Sequence, residues 1–540
     1  MADARMGDLH GARQLQVLAT VLLIGFIGVP LVRLLGVAAG PGAASVVATL
    51  ASPQVSGPIL NSAWTAGLVA LISVGLGVAA ALATERGGLP GRGWLRAGML
   101  LPLVAPPFVT AFGWARAYGP RGLTDQLLGL QVPGLYGPVG IVLVLAASAM
   151  PLAWLIVAGA LASRVEPDAE RAARAAGAGP WTTLQAVTLP LVRPAVVSSL
   201  VVTFVFSVNA FGVPAVLGTP AGFVTITTRL YQDLARSADL ALFAEAAVLA
   251  ATLVVVAIAV VGPADAWLTG RAAARTGESA GGRAVAPRGR GIRMVGSLAI
   301  AGGIALLTVV PLIAVLLTAI TRAVGLAPVP ANWTLANFAE VLDQRFVDGL
   351  VNSLVLAVAA ATVVLPLGAL LAMLGRRRGL LRTGATLGFA LPGSALAVAV
   401  LLAYGNWLRD TLAIILVAYV AKFWALGQRQ MAGSIDRLPA DVMRAARASG
   451  AGPARTLRAI VIPLLRPSLI AGWLVVFLFA FHELTMSSLL YGPRTATLSV
   501  VVLNAQQLGD PTVSAALAVL LVGMIGVLAV PLAFIARQRP

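Results

Sequence analysis

The chain of 540 residues contains no cysteine, two histidines and one lysine, and only 11% of its residues are charged. Without a thiol there is no disulfide framework, no thiolate nucleophile and no cysteine-based metal site. His10 and His482 lie far apart in the sequence, so no clustered metal site is expected. No Gly-x-x-x-x-Gly-Lys-Ser/Thr run exists, and Lys422 stands in an unsuitable context, so nucleotide hydrolysis and a resident cofactor are not expected of this chain. Acids number 20 against 38 basic residues, and no site-forming context accompanies them, so the chain reads as a non-enzyme. The formal charge of +18 would suit nucleic acid, yet the arginines are scattered through short loops between apolar runs. They read as topology signals, with no nucleic acid partner.

What is present is apolar. Hydrophobic residues make up 59% of the chain and mean hydropathy is +0.93, against roughly 45–50% apolar and about 25% charged in soluble domains. The solvent for most of the chain is a lipid bilayer, and the expected fold is an all-α polytopic membrane protein. Runs of about 20 apolar residues cross ~30 Å of hydrocarbon. About twelve candidates centre on residues 15–37, 59–84, 97–117, 139–161, 194–217, 241–262, 294–320, 350–374, 383–404, 411–428, 467–490 and 513–536. Arg5 and Arg13 precede a first run too long for a signal-peptide core, which reads as a retained span. Most arginines fall in or beside alternate loops, which predicts that both termini are cytoplasmic. Lys422, towards the inner end of the tenth span, reads as snorkelling to the interface.

Residues 263–293, rich in Gly, Ala and Arg, read as a basic cytoplasmic linker between a first half, 1–262, and a second, 294–540. The halves share landmarks: Asn61-Ser62 and Asn352-Ser353, Leu101-Pro102 and Leu391-Pro392, Tyr118-Gly119 and Tyr404-Gly405. Each half is then a six-span unit in the same orientation, a parallel repeat about a pseudo-twofold axis along the membrane normal. Gly75 and Gly77 superficially suggest a dinucleotide turn, but no strand precedes them, and close helix packing is the reading adopted.

The most specific repeat is polar. Arg171-Ala172-Ala173-Arg174-Ala175-Ala176-Gly177-Ala178-Gly179-Pro180 returns as Arg444-Ala445-Ala446-Arg447-Ala448-Ser449-Gly450-Ala451-Gly452-Pro453, with Gly450 lying 273 residues after Gly177. Glu166-Pro167-Asp168 suits a helix start, Arg171 to Ala176 are good helix formers, and Gly177 offers the left-handed conformation that ends a helix. A second short helix is expected from Trp181 to Val187, broken by Leu189-Pro190. One such loop is readily an ordinary interfacial turn; two at matching points, each with a small-residue surface, suit docking of another protein.

These loops resemble the cytoplasmic Glu-Ala-Ala-x-x-x-Gly signature, ending apolar-x-Leu-Pro, of binding-protein-dependent ABC importer permeases of the type I fold. Ala172-Ala173, Gly177 and Leu189-Pro190 match it, as do Ala445-Ala446, Gly450 and Ile462-Pro463; Arg171 and Arg444 stand where the family has glutamate, with Glu170 one residue early. The resemblance implies that Arg171, Ala172, Ala173, Gly177, Arg444, Ala445, Ala446 and Gly450 form coupling helices for a separate cytoplasmic ABC ATPase, itself a homodimer, which hydrolyses ATP. It also implies an extracytoplasmic solute-binding protein, and a bacterial inner membrane as the location. Asn209 to Gly218 with Thr227 to Tyr231, and Phe481-His482-Glu483-Leu484 with Leu489 to Pro493, resemble fused ferric iron importer permeases. Thiamine permeases share the plan, and polyamine and sulfate permeases are more distant.

Polar groups inside spans are the remaining functional candidates, because a charge at the bilayer centre costs about 2.5–3.5 kcal/mol on insertion scales. Asn209, His482 and Glu483 are expected deep in the fifth and eleventh spans, His482 lying 273 residues after Asn209. They either line the translocation pathway or fasten helices together. Glu340, Asp343 and Asp348, with Arg345, form an external segment that either meets the binding protein or is simply solvated. The competing class is an ion-coupled secondary transporter, which also often has two six-span halves but needs no ATPase.

Overall fold

The computed structural model describes residues 17–40, 42–165, 167–235, 240–272, 289–375, 388 and 390–537. Among these the architecture is helical, with one isolated β-bridge between Thr321 and Trp333. Ten helices are long and apolar enough to cross a bilayer: Val17–Ala39, Pro53–Arg86, Pro138–Arg164, Pro180–Val208, Leu242–Trp267, Arg290–Ala319, Gln344–Met373, Leu412–Asp436, Leu457–Phe481 and Pro511–Pro531. The third expected span is a pair, Arg92–Leu103 and Pro107–Leu128, bent by 101°. Its bend falls where Pro106 and Pro107 supply no N–H. At the ninth place stands the shorter helix Gly393–Leu408; most of residues 376–389 lie outside the described set.

Two expectations change at the ends of elements. Helix Leu240–Ala272 runs past residue 262 and helix Arg290–Ile304 starts before 294, so helix occupies both ends of the segment read as linker; residues 273–288 lie outside the described set, as do Arg5, His10 and Arg13. Leu189-Pro190 does not break a helix. The chain from Pro180 continues through a widened turn, Leu184–Thr188, directly into Leu189–Val208, and the second copy does the same through Leu457–Val461.

The widened turns follow one rule. They occur at Ile24–Gly28, Leu184–Thr188, Pro214–Gly218, Ala305–Val309 and Leu457–Val461, and each ends two residues before a proline: Pro30, Pro190, Pro220, Pro311 and Pro463. Proline removes a donor and its ring crowds the carbonyl four residues back. Letting the preceding N–H reach back five residues, as Val310 does to Ala305, opens the turn enough to keep the helix running.

This widening has a consequence for how the halves interlock. The first span packs against the sixth and ninth, while the end of the seventh packs against the third and twelfth, so each half's first span crosses to the other half. In the seventh span the carbonyls of Leu306 and Leu307 have no intrahelical donor, because Val310 N–H is used by Ala305 and Pro311 has none. The Tyr118 hydroxyl donates to Leu306 O, and Trp114 Nε1–H to Leu307 O at 3.1 Å. In the first span the matching carbonyl, Gly25 O, accepts from the Tyr404 hydroxyl at 2.5 Å.

The other landmarks are structural too. Asn61 donates to Val224 O at 3.0 Å and Ser62 accepts from Ile226 N–H at 2.9 Å; Asn352 donates to Arg494 O and Ala496 O, both at 3.0 Å, and Ser353 accepts from Leu498 N–H at 2.9 Å. Both Asn-Ser pairs thus tie down the start of a short helix, Ile226–Ala235 or Leu498–Gln507. Gly77 makes the close helix approach expected of the glycine pair: a Cβ there would lie 2.7 Å from Ala153 Cβ, while Gly75 has open space. Gly368 repeats it, where a Cβ would fall 2.4 Å from the Gly427 backbone.

The crossing bonds make a double-mutant prediction. Tyr118→Phe should lower thermal stability of the detergent-solubilised protein by about 0.6 kcal/mol, and by no more than about 1.7, the range for hydrogen bonds between membrane helices. In a Pro311→Ala background, where a backbone donor again reaches Leu306 O, that loss should shrink; an undiminished loss would show that the freed carbonyl is not what Tyr118 serves.

Candidate translocation and coupling sites

Both repeated loops fold into a helix and a glycine corner. Pro167–Ala175 is followed by Gly177 at φ +88°, with Gly177 N–H to Arg174 O and Ala178 N–H to Ala173 O, each 3.0 Å. Ala440–Ala448 is followed by Gly450 at φ +74°, with Ala451 N–H to Ala446 O at 3.0 Å. A Cβ at either glycine would meet no atom; the residue is required by its left-handed backbone, not by crowding. Arg171, Ala172, Gly177, Arg444, Ala445 and Gly450 are exposed, Ala173 is half-buried and Ala446 buried. Arg171 pairs with Asp168 and Arg444 with Asp441, one turn earlier on the exposed side.

Glu170 has a different environment. It is buried, accepts from Thr188 Oγ1 at 2.9 Å and lies 3.6 Å from Arg86 Nε. Arg86 in turn donates to the carbonyls of Leu161 and Val165 at 3.1 and 2.9 Å. The first corner is therefore anchored to the ends of the second and fourth spans. Met443 occupies the matching place in the second copy and brings no carboxylate.

The fifth and eleventh spans end at matching breaks. Helix Leu189–Val208 stops at Asn209, and Ile462–Phe481 at His482, so these residues sit at helix ends and not deep within a continuous span. The two breaks meet: a Cβ on Gly212 would lie 2.5 Å from Phe108 Cβ and 3.0 Å from Leu484 Cδ2. Asn209 Oδ1 is buried without a hydrogen-bond partner; His482 Nδ1 is buried and makes no well-formed bond, only an approach to the Leu478 carbonyl. Glu483 is engaged differently. Its carboxylate accepts from Met486 N–H at 2.9 and 3.0 Å, Ser487 N–H at 3.1 Å and Ser487 Oγ at 3.2 Å, closing the start of helix Thr485–Leu490.

Two residues at this break were not among the sequence candidates. Tyr419 shares a 2.7 Å hydrogen bond with Ser487 Oγ. Lys422 lies near the middle of Leu412–Asp436, donates to Leu391 O and interacts with the charge of Glu483. The snorkelling expectation is therefore corrected: the ammonium turns inward, because a carboxylate and a carbonyl are available there. That it is the chain's single lysine was the signal. On the far face, Asp343 Oδ1 accepts from Phe346 N–H at 2.9 Å and Asp348 from Gln344 at 2.7 Å, so these acids stabilise the start of the eighth span. Among the described residues no three acids or histidines cluster as a metal site.

Comparison with known proteins agrees with this geometry. The family described as "binding-protein-dependent transport system inner membrane component" matches residues 73–264 and 364–538. The putative ferric transport system permease protein FbpB 1 of Haemophilus influenzae is 27% identical over 459 residues, 80% of this chain and 70% of that protein. The ferric transport system permease protein FbpB of Actinobacillus pleuropneumoniae is 25% identical over 489 residues, 86% and 69% respectively. The putrescine transport system permease protein PotI of Escherichia coli is 28% identical over 217 residues, 37% of this chain and 77% of that protein. With the family matched on both sides of the linker region and a multi-pass helical fold, the chain belongs to the binding-protein-dependent transport system inner membrane components, the permeases of ABC importers.

Proposed function

We propose that the chain is the fused permease of an importer for ferric iron or a ferric chelate, with both termini and both glycine corners in the cytoplasm. A homodimeric ABC ATPase binds the corners and hydrolyses the ATP; the chain itself needs no cofactor. A solute-binding protein delivers cargo on the opposite face. The cargo assignment is supported by the names of the two FbpB relatives and by their coverage of most of the chain.

One observation carries the mechanism. Each corner is joined by unbroken helix to a break, Pro180 to Val208 in one half and Pro453 to Phe481 in the other. At 1.5 Å per residue such a rod spans about 40 Å, so displacement at the corner is delivered to the place where the halves touch. The widened turn keeps the rod continuous past its proline. In this reading Asn209 and His482 face the pathway through polar atoms that lack well-formed hydrogen bonds, while Glu483 holds the shape of the second break.

Ala172→Asp and Ala445→Asp place an unpaired carboxylate on the exposed corner surface. They should reduce co-purified ATPase more than about tenfold, as burying an unpaired charge in an interface does, with permease abundance unchanged. Full ATPase retention in both would remove the coupling role. Because the chain has no cysteine, a cysteine at Ala175 or Ala448 should react with an impermeant thiol reagent from the cytoplasmic side alone.

Asn209→Leu and His482→Leu keep bulk and delete these polar atoms. Each should lower ATP-dependent uptake of labelled ferric iron about tenfold, the loss of one polar contact in the rate-limiting state, in complexes that assemble normally. Glu483→Ala should instead lower the yield of assembled complex. Unchanged uptake in both leucine variants would take these residues out of the pathway.

A further inference from the structure

Opposite the corners, a small open cleft of about 30 Å³ lies between the halves, lined by Arg116, Arg121, Leu123 and Gln126 from the first and, from the second, by residues that include Ala314, Thr318, Thr321 and Gly325. No acid lines it. Asp125, the nearest carboxylate in sequence, is turned to the backbone N–H of Arg121 at 2.8 Å. The hydroxyls of Thr318 and Thr321 are spent on the carbonyls of Ala314 and Leu317. Arg116 Nε is buried without a hydrogen-bond partner, and its guanidinium rests 5.9 Å over the Phe112 ring. Among the described residues neither arginine forms an ion pair.

A buried guanidinium N–H without an acceptor, as at Arg116 Nε, is costly, and two like charges lining one cleft repel unless an anion joins them. The cleft lies at the ends of the third and seventh spans, the level of lipid headgroups. Beside it Leu127 and Leu128 are 65% and 68% exposed, apolar side chains that fit acyl chains better than water. We propose that Arg116 and Arg121 bind the phosphate of one anionic phospholipid, which seals the outer seam between the halves while its chains lie along Leu127 and Leu128. Arginine favours such an anion because its planar fork donates two parallel hydrogen bonds.

The test uses the purified full chain in nanodiscs of phosphatidylcholine with or without phosphatidylglycerol, followed by native mass spectrometry of retained lipid. Wild type should retain phosphatidylglycerol selectively and gain thermal stability from it. Arg121→Gln and Arg116→Gln should each weaken retention about fivefold, the effect of one basic group near an anionic surface, while Arg409→Gln, outside the cleft, changes nothing. Arg121 is exposed, so its variant reads the site even if Arg116→Gln folds poorly. Equal retention in wild type and Arg121→Gln overturns the proposal. So does normal lipid retention with lost capture of the solute-binding protein, which would assign the arginines to an acidic protein partner.

Discussion

A proline two residues beyond a widened turn leaves backbone carbonyls without donors inside a bilayer, and nothing in hydrocarbon can satisfy them. Every such turn among the described residues raises this problem, and in the two crossing spans the answer comes from the opposite half. Tyr118 and Trp114 reach the seventh span; Tyr404 reaches the first. Because helices in lipid gain little from hydrophobic exclusion, such polar contacts and close backbone approaches fix which helices pair. The same backbone defect that threatens the span thereby selects its partner.

The proline turns near the corners serve another end. There the widening keeps a helix running from the corner to the break, where a kink would absorb movement. The two rods are alike in geometry but not in what holds them. The first is fixed at its corner, through Glu170, Thr188 and Arg86; the second is fixed at its break, through Glu483, Ser487, Tyr419 and Lys422. Met443 and Ala149 stand where a strict repeat would place Glu170 and Lys422. A single fused chain permits this division, because its halves are free to diverge.

Much of the fold was legible because lipid enforces long apolar runs, and the offset of 273 residues exposed the repeat. The Asn-Ser pairs, the Tyr-Gly pairs and the glycine corners were all visible as landmarks before any had a partner. What they touch was not visible, since the carbonyls they satisfy belong to residues far away in sequence. Proline was misread at Leu189-Pro190 for a related reason: a local rule says it ends a helix, and only the five-residue reach of the preceding N–H shows how the helix survives. Lys422 was misplaced because snorkelling is a matter of distance to the interface, whereas its inward turn depends on Glu483 from another helix.

Glu483 also shows why an intramembrane charge need not touch cargo. Moving a carboxylate into the membrane costs about 2.5–3.5 kcal/mol on insertion scales, and hydrogen bonds to a charged group return about 1.5–3 kcal/mol each. Its contacts with Met486 and Ser487, and the charge of Lys422, are enough to offset that cost without any solute. Asn209 and His482 present the opposite case at the same junction. Asn209 Oδ1 and His482 Nδ1 are buried without well-formed hydrogen bonds, so burial there costs free energy that no partner returns. The frame of the break is therefore set by the hydrogen bonds of the Glu483 carboxylate and not by Asn209 or His482.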